Sequence, residues 1–260
     1  MTARKVILPL VLAALVVSVL LNIVLSAKYF RSYRMLQSVC LDPMVFGVSQ
    51  VEQAPPDDCR GEPLVVMLGD SRIAQWSPLP IVGGCRIVNR GVGGQTTALT
   101  LLRLQRDVLS VRPCVVVIQI GVNDLKLTGL FPERRQVIVD SCQRNIQELV
   151  NRMTREGIQV VLLTIFPPGP AGLLRRSIGW GDISACVEET NRQLLELAGP
   201  CVSVLDCDPI LKQDGHLRRE YAKDTLHLTP SAYEALNRGL VPVLEQLLQD
   251  RTISREKYAF

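Results

Sequence analysis

Four short blocks of glycine and polar residues stand out in this 260-residue chain: Gly69-Asp70-Ser71, Asn89-Arg90-Gly91-Val92-Gly93-Gly94, Gly121-Val122-Asn123-Asp124 and Asp224-Thr225-Leu226-His227. Their residue types suit nucleophilic acyl transfer. A serine hydroxyl is a poor nucleophile at neutral pH unless a nearby base takes its proton. Imidazole suits that task because its unperturbed pKa, ~6.5, lies close to neutrality. His227 is the candidate base for Ser71, and Asp224, three residues earlier, can hold the ring in the correct tautomer and support the charge that forms. The tetrahedral oxyanion then needs donors, and the candidates are the backbone N–H of Ser71, the N–H of Gly94 and the side-chain amide of Asn123. Losing one such donor typically costs ~10²–10³ in rate. Asp70 is read as holding its turn by bonding backbone N–H groups, and Asp124 as anchoring its loop. The second histidine, His216, lies among Asp214, Gly215, Arg218 and Arg219 and reads as solvated loop.

Rival motifs fail on spacing. The glycines at 91, 93 and 94 do not continue into a dinucleotide fingerprint, since position 96 is Thr and the cluster follows the second apolar run instead of the first. No Gly-Lys-Ser/Thr occurs, which excludes a P-loop. The G-x-S-x-G elbow fails at Ile73, and here acid and base come from one loop. Without a CxxC pair no structural zinc site is expected, and the chemistry needs neither metal nor organic cofactor.

The elements that must position these blocks are legible as five apolar runs: Leu64–Leu68, Arg86–Val88, Val115–Ile120, Val160–Ile165 and Val202–Leu205. Helical periodicity lies between them, at 97–109, 134–155 and 182–197, with Asp182 as the expected N-cap of the third. A last helix begins at Thr229-Pro230, and Pro242 should kink or end it. Strands without alternation, separated by helices, predict a parallel sheet covered on both faces. Ligands of such sheets bind beyond the carboxyl ends of the strands. Three of the four blocks directly follow an apolar run, and the fourth directly precedes the last helix.

These blocks resemble those of the SGNH (GDSL-type) hydrolases. The family's Ser, Gly, Asn and His match Ser71, Gly94, Asn123 and His227 in order, and its acidic triad partner matches Asp224. The resemblance covers about residues 62–248, and Asn89–Thr97 and Asp224–Thr229 look like the esterase and platelet-activating-factor-acetylhydrolase-like branches. It implies a three-layer α/β/α sandwich with a mainly parallel five-stranded, flavodoxin-like sheet, and hydrolysis of an ester through an acyl-serine. Arg72, directly after the nucleophile, departs from the small or hydroxyl residues more often expected there.

The remainder of the chain is organised around one apolar segment. Val6 to Leu25 carries no charge and is long enough, at ~1.5 Å per residue, to cross the ~30 Å hydrocarbon layer. Residues 1–34 therefore read as an N-terminal membrane anchor and its flanks, with a cleaved signal peptide as the rival reading, 35–62 as a linker, 63–248 as the hydrolase domain and 249–260 as a C-terminal tail. Of the 29 Lys and Arg, five lie in residues 1–34, leaving 24 against 25 acids, so the basic balance belongs to the anchor's flanks and no nucleic-acid partner is expected. All eight cysteines follow the anchor, which favours a single-pass protein with an extracytoplasmic catalytic domain. Cys40–Cys59 and Cys201–Cys207 are candidate pairs, with Cys114 and Cys142 as packed thiols. The long segment Pro167–Gly181, with Trp180, could line the pocket or close over it. The expected substrate is a small-molecule, lipid or carbohydrate ester, with short-chain acetyl esters favoured. The alternatives are a lysophospholipase or thioesterase with the same triad, and a non-catalytic membrane-tethered binding module. Protein partners are not readable from the sequence.

Overall fold

A computed structural model describes residues 3–41, 62–169 and 183–257, with the backbone alone for 3–6, 33–41 and 251–257. The chain divides into two compact units, Met1–Phe46 and Gly47–Phe260.

The first unit is a single helix, α1 (Ala3–Leu41). Ile7–Ser32 within it is a candidate membrane span, with mean hydropathy 2.8 and none of its surface buried by protein. Twenty-six residues make ~39 Å of helix, more than the ~30 Å layer requires. The polar Asn22 satisfies itself inside the helix, donating Nδ2–H to the Ser18 carbonyl at 2.8 Å, as an apolar surrounding demands. The helix passes Arg34 without a break and enters the stretch expected to be linker.

The second unit is built on a five-stranded, all-parallel sheet: β1 (Leu64–Gly69), β2 (Arg86–Gly91), β3 (Val115–Gln119), β4 (Gln159–Leu163) and β5 (Val202–Leu205), in the order β2-β1-β3-β4-β5. The central strands β1 and β3 are buried throughout, which is why they read as unbroken apolar runs. One face packs Val66, Leu68, Val116 and Ile118 against α3 (Thr97–Asp107), α5 (Arg135–Arg155) and α6 (Ser184–Leu195), through Leu104, Ile146 and Val187. The other face packs Val65, Met67, Val115 and Val117 against α8 (Pro230–Lys257), through Tyr233, Leu236, Leu240 and Leu244. The short helices α2 (Ser71–Ala74), α4 (Val122–Leu125) and α7 (Asp208–Leu211) follow β1, β3 and β5.

This is the expected three-layer fold, with differences at the margins. Strand β2 runs on through Asn89 and Arg90 to pair Gly91 with Gly69; Asn89 is half-buried with its amide on the Ile73 carbonyl, and Arg90 is buried. Helix α8 passes Pro242 and continues to Lys257, into the expected tail. Pro242 and Arg238, whose carbonyl loses its helical donor, are both exposed, so water replaces the missing bond. Asp182 lies outside the described residues; α6 starts at Ser184 with Ile183 at its cap and no side-chain capping bond. His216 is exposed, but on a small hairpin instead of a loop: β6 (Lys212–Gln213) pairs with β7 (His216–Leu217). Asp214 and Gly215 at its tip both have positive φ, as a tight two-residue turn requires. Cys201 and Cys207 are unbonded thiols, the latter buried with Sγ 3.5 Å from the Leu205 carbonyl. Cys85, Cys114, Cys142 and Cys186 are also thiols, not disulfides. Cys59 and the side chain of Cys40 lie outside the described residues.

Two glycines let the strand ends close up. A Cβ on Gly69 would sit 2.1 Å from the Gln119 carbonyl oxygen, and one on Gly91 would sit 2.1 Å from the Ala74 nitrogen. Backbone on backbone cannot yield as a side-chain end can. Gly69→Ala is therefore expected to destabilise by about 3 kcal/mol or more, the upper end of overpacking effects. The control is Gly83→Ala, where nothing lies within 4 Å. Urea unfolding followed by circular dichroism compares the two, and similar midpoints would contradict the packing argument.

Candidate active site

Ser71 is the first residue of α2, immediately beyond β1. Asp70 caps that turn, its Oδ1 accepting the Arg72 N–H at 2.9 Å, as read from the sequence. Asp70 is fully buried, and burial pushes its carboxyl up from 3.8 to about 6, against the opposing Arg72 charge and N–H.

The loop before α8 brings His227 to this turn. His227 Nδ1 lies 2.7 Å from Asp224 Oδ2, and His227 Nε2 lies 3.1 Å from Ser71 Oγ. With Nδ1–H donating to the carboxylate, Nε2 is left to accept the serine proton. Asp224 Oδ1 accepts the N–H groups of Leu226 and His227 at 2.7 and 2.9 Å. Partial burial works against ionisation of Asp224, but these two N–H groups and the His227 ring outweigh it and hold the carboxyl down at about 2. The loop closes on itself where Lys223 N–H donates to the His227 carbonyl at 3.0 Å. Its far side is pinned by Gly169 N–H, which donates to the Thr225 carbonyl at 2.9 Å. Beyond Gly169, residues 170–182, including Trp180 of the expected lid, lie outside the described residues.

Arg72 ties the nucleophile turn to this loop. Its side chain is fully buried. Nε–H donates to the Leu226 carbonyl at 2.8 Å and Nη1–H to the Phe166 carbonyl at 2.9 Å. The guanidinium lies 5.4 Å from the centre of the Phe166 ring. From α8, the Tyr233 hydroxyl donates to the Arg72 carbonyl at 2.8 Å. The sequence marked Arg72 as a departure without finding this role; the available signal was a cation at a position that the flanking apolar pattern buries.

The glycine block is held by a second buried arginine. Arg103 of α3 donates to the carbonyls of Gly69 at 2.9 Å and Arg90 at 2.8 Å, bonds Gln95 Oε1, and pairs with Asp107 at 2.6 Å. Asn89 links the same block to the nucleophile turn through the Ile73 carbonyl at 2.7 Å. Gly93 and Gly94 remain exposed, and a Cβ on Gly93 would lie 3.9 Å from that of Ser71. Gly94 has φ +79°, and Gly121, the N-cap of α4 just beyond β3, has φ +122°; both conformations suit glycine. Asn123 is buried, and its Nδ2–H donates to the Gln95 carbonyl at 3.0 Å. Asp124 anchors the loop as expected, accepting the Thr97 N–H at 2.9 Å and hydroxyl at 2.7 Å.

The structure thus brings Ser71, His227 and Asp224 into one chain of contacts, and sets Asn123 against the block containing Gly94 through Gln95. Such a relay can move a proton from a hydroxyl to an imidazole while a charge develops beside N–H donors. Among the described residues no three His, Cys, Asp or Glu cluster as metal ligands would.

The sequence model of the GDSL-like lipase/acylhydrolase family matches residues 68–235, a span that takes in all four blocks. Esterase TesA of Pseudomonas aeruginosa is 33% identical over 103 residues, 38% of this chain and 47% of that protein. Platelet-activating factor acetylhydrolase IB subunit alpha2 of Gallus gallus is 26% identical over 204 residues, 74% of this chain and 81% of that protein. A solved GDSL-like lipase from Bacteroides thetaiotaomicron shares the fold, with TM-score 0.59 and 21% identity over 81% of this chain and 97% of that one. The chain spans 34% and 47% of the length of the two curated relatives it matches at 33% identity.

Two outcomes follow from the buried charges. Arg72→Met leaves the carbonyls of Phe166 and Leu226 without their donor, and an unsatisfied buried acceptor costs about 1–3 kcal/mol. A loss of at least about 2 kcal/mol in urea unfolding is expected, with a smaller loss for Arg72→Lys. Asp70, raised from 3.8 to about 6, stabilises the fold fully below about pH 4, and that contribution is lost as pH rises through about 6 and the buried carboxylate ionises. The loss is on the order of 3 kcal/mol. Asp70→Asn is expected to remove it, so the stability difference between variant and parent should grow in the variant's favour from pH 4 to 7. A pH-independent difference would refute the assignment.

Proposed function

We propose that this chain, which belongs to the GDSL-like lipase/acylhydrolase family, is a serine hydrolase of ester bonds that works through an acyl-serine intermediate on short-chain, above all acetyl, esters. The observation that carries this reading is the unbroken relay Asp224–His227–Ser71, with contacts of 2.7 and 3.1 Å. Ser71 Oγ attacks the ester carbonyl carbon while His227 Nε2 takes the hydroxyl proton. The carbonyl oxygen becomes an oxyanion facing the N–H groups of Ser71 and Gly94 and the Nδ2–H of Asn123. Collapse breaks the bond to the leaving alcohol, which receives its proton from His227. Water, deprotonated by the same imidazole, then attacks the acyl-serine and frees the acid. Asp224, held low at about 2, stays ionised throughout and keeps Nδ1 protonated and the ring oriented.

The acetyl preference draws support from the relative of widest coverage, which is named as an acetylhydrolase. The apolar helix α1 supports a membrane-held enzyme. We place the catalytic domain outside the cytoplasm, on the position of all eight cysteines after the anchor, although the six described ones are thiols and leave only Cys40 and Cys59 to pair.

A p-nitrophenyl ester series from acetate to palmitate tests the chemistry. Ser71→Ala is expected to lose nearly all turnover with an unchanged circular dichroism spectrum, and Asn123→Ala to lose ~10²–10³ in kcat. Equal activity of Ser71→Ala and parent would end the nucleophile assignment, whereas a preference for octanoate or longer would overturn only the acetyl reading. For topology, the part-exposed thiols of Cys85 and Cys201 are expected to react with a membrane-impermeant maleimide in intact cells. Labelling only after permeabilisation would place the domain inside.

A further inference from the structure

The amide of Asn123 is gripped at both ends. Its Nδ2–H donates to the Gln95 carbonyl at 3.0 Å, and its Oδ1 accepts the Lys126 ammonium at 2.6 Å. Lys126 stands three residues on, where α4 passes into the 3₁₀ turn Lys126–Gly129; that spacing puts positions i and i+3 on one face. Asn123 is 4% exposed, while Lys126 is half-buried. A neutral donor would satisfy the amide oxygen equally well. A cation there has a further consequence.

We infer that Lys126 is a positioning residue for ester hydrolysis, orienting and polarising the Asn123 amide so that its remaining Nδ2–H is a strong donor to the oxyanion. The inference rests on the assignment of Asn123 to the oxyanion site. Orientation follows from the partners. An ammonium can only donate, so it must meet Oδ1, and a carbonyl can only accept, so it must meet Nδ2. The two together permit one rotamer of the amide and exclude its flip. Polarisation follows from charge: a bond from a cation to Oδ1 draws electron density out of the amide and makes each N–H more positive. In a partly buried site this effect is stronger than in water. Asp70 and Asp124 both lie close enough to feel the Lys126 charge, which works against the burial that raises their carboxyls.

A double-mutant cycle on the full-length chain in detergent micelles tests this with p-nitrophenyl acetate. Lys126→Met is expected to lower kcat about 10-fold with KM within about twofold, the scale of weakening one charge-assisted bond. Lys126→Gln, which keeps a donor but no charge, should fall between parent and Met. Asn123→Ala should lower kcat ~10²–10³, and Lys126→Met/Asn123→Ala should be no slower than Asn123→Ala alone, because Lys126 acts through that amide. Multiplied losses in the double variant would overturn the inference, showing that Lys126 acts independently. So would a raised KM at constant kcat, the mark of a group that holds the substrate. An unchanged kcat in Lys126→Met would also overturn it. If Asn123→Ala were as active as parent while Ser71→Ala stayed inactive, the oxyanion assignment and this inference would fall together and the acyl-serine mechanism would stand.

Discussion

The guanidinium of Arg72 is the fixed point on which the working geometry depends. It is completely withdrawn from water, a state that costs a cation several kcal/mol unless its N–H groups find partners. Two of its partners are carbonyls at places where the backbone is irregular: Phe166, just beyond β4, and Leu226, beside the base. Neither carbonyl has a strand or helix to supply a donor, and buried carbonyls must have one. The guanidinium's rigid fork meets both at once, which an ammonium could not do equally well. The residue after Ser71 thereby holds the loop that carries His227. Arg103 does the same for the glycine block, through the carbonyls of Gly69 and Arg90. Loops at the rim of a parallel sheet are positioned here by buried cations because no regular hydrogen-bond ladder reaches them.

The strand order explains why the blocks meet at all. After β1 the chain turns to β2 on one side, and then crosses to β3 on the other. Residues leaving β1, β2 and β3 therefore share one stretch of rim, at the point where the winding reverses, which is where ligands of such sheets bind. Close approach of those three strand ends needs Gly69 and Gly91, since any Cβ there meets backbone. Packing of the sheet and placement of Ser71 are thus one constraint: the α2 turn fits only because two strand ends carry no side chain.

Much of this was legible in the sequence, for a physical reason. Nucleophile, base and orienting acid must be particular residue types, and a doubly covered parallel sheet must present them at its strand ends, so both signals coincide at Ser71, Asn123 and the loop of Asp224 and His227. What stayed hidden lacks a residue-type signature. The acceptors of Arg72 and Arg103 are backbone carbonyls, identical in every residue, so nothing in the letters 166 or 226 announces a partner. Strand β2 was read short because apolar continuity marks only strands buried on both faces, and β2 is an edge. Pro242 misled because the rule against proline in a helix concerns a lost bond, which is cheap where the freed carbonyl faces water. Cys201 and Cys207 lie six apart, but the extended strand β5 runs between them and one thiol is buried on the α8 face of the sheet.

Two aspartates beside Ser71 show how one site sets opposite protonation behaviour. Asp70 directly precedes Ser71, and the sequence already assigns it to the turn and the orienting role to Asp224. Asp70 is fully buried, with one backbone donor on Oδ1, and burial carries its carboxyl up to about 6. Asp224 is more exposed and receives two backbone N–H groups and the imidazole, which carry it down to about 2. Only the second is ionised across the whole neutral range, and only the second touches the ring. An imidazole that gains a proton during attack needs a neighbour whose negative charge is already present and already solvated by fixed donors. In the proposed mechanism Asp224 meets that need, while Asp70, uncharged through much of the acidic range, serves the turn that holds Ser71 in place. Burial acting on one carboxyl and hydrogen bonding on the other divide structural from electrostatic work within a few ångströms of the same hydroxyl.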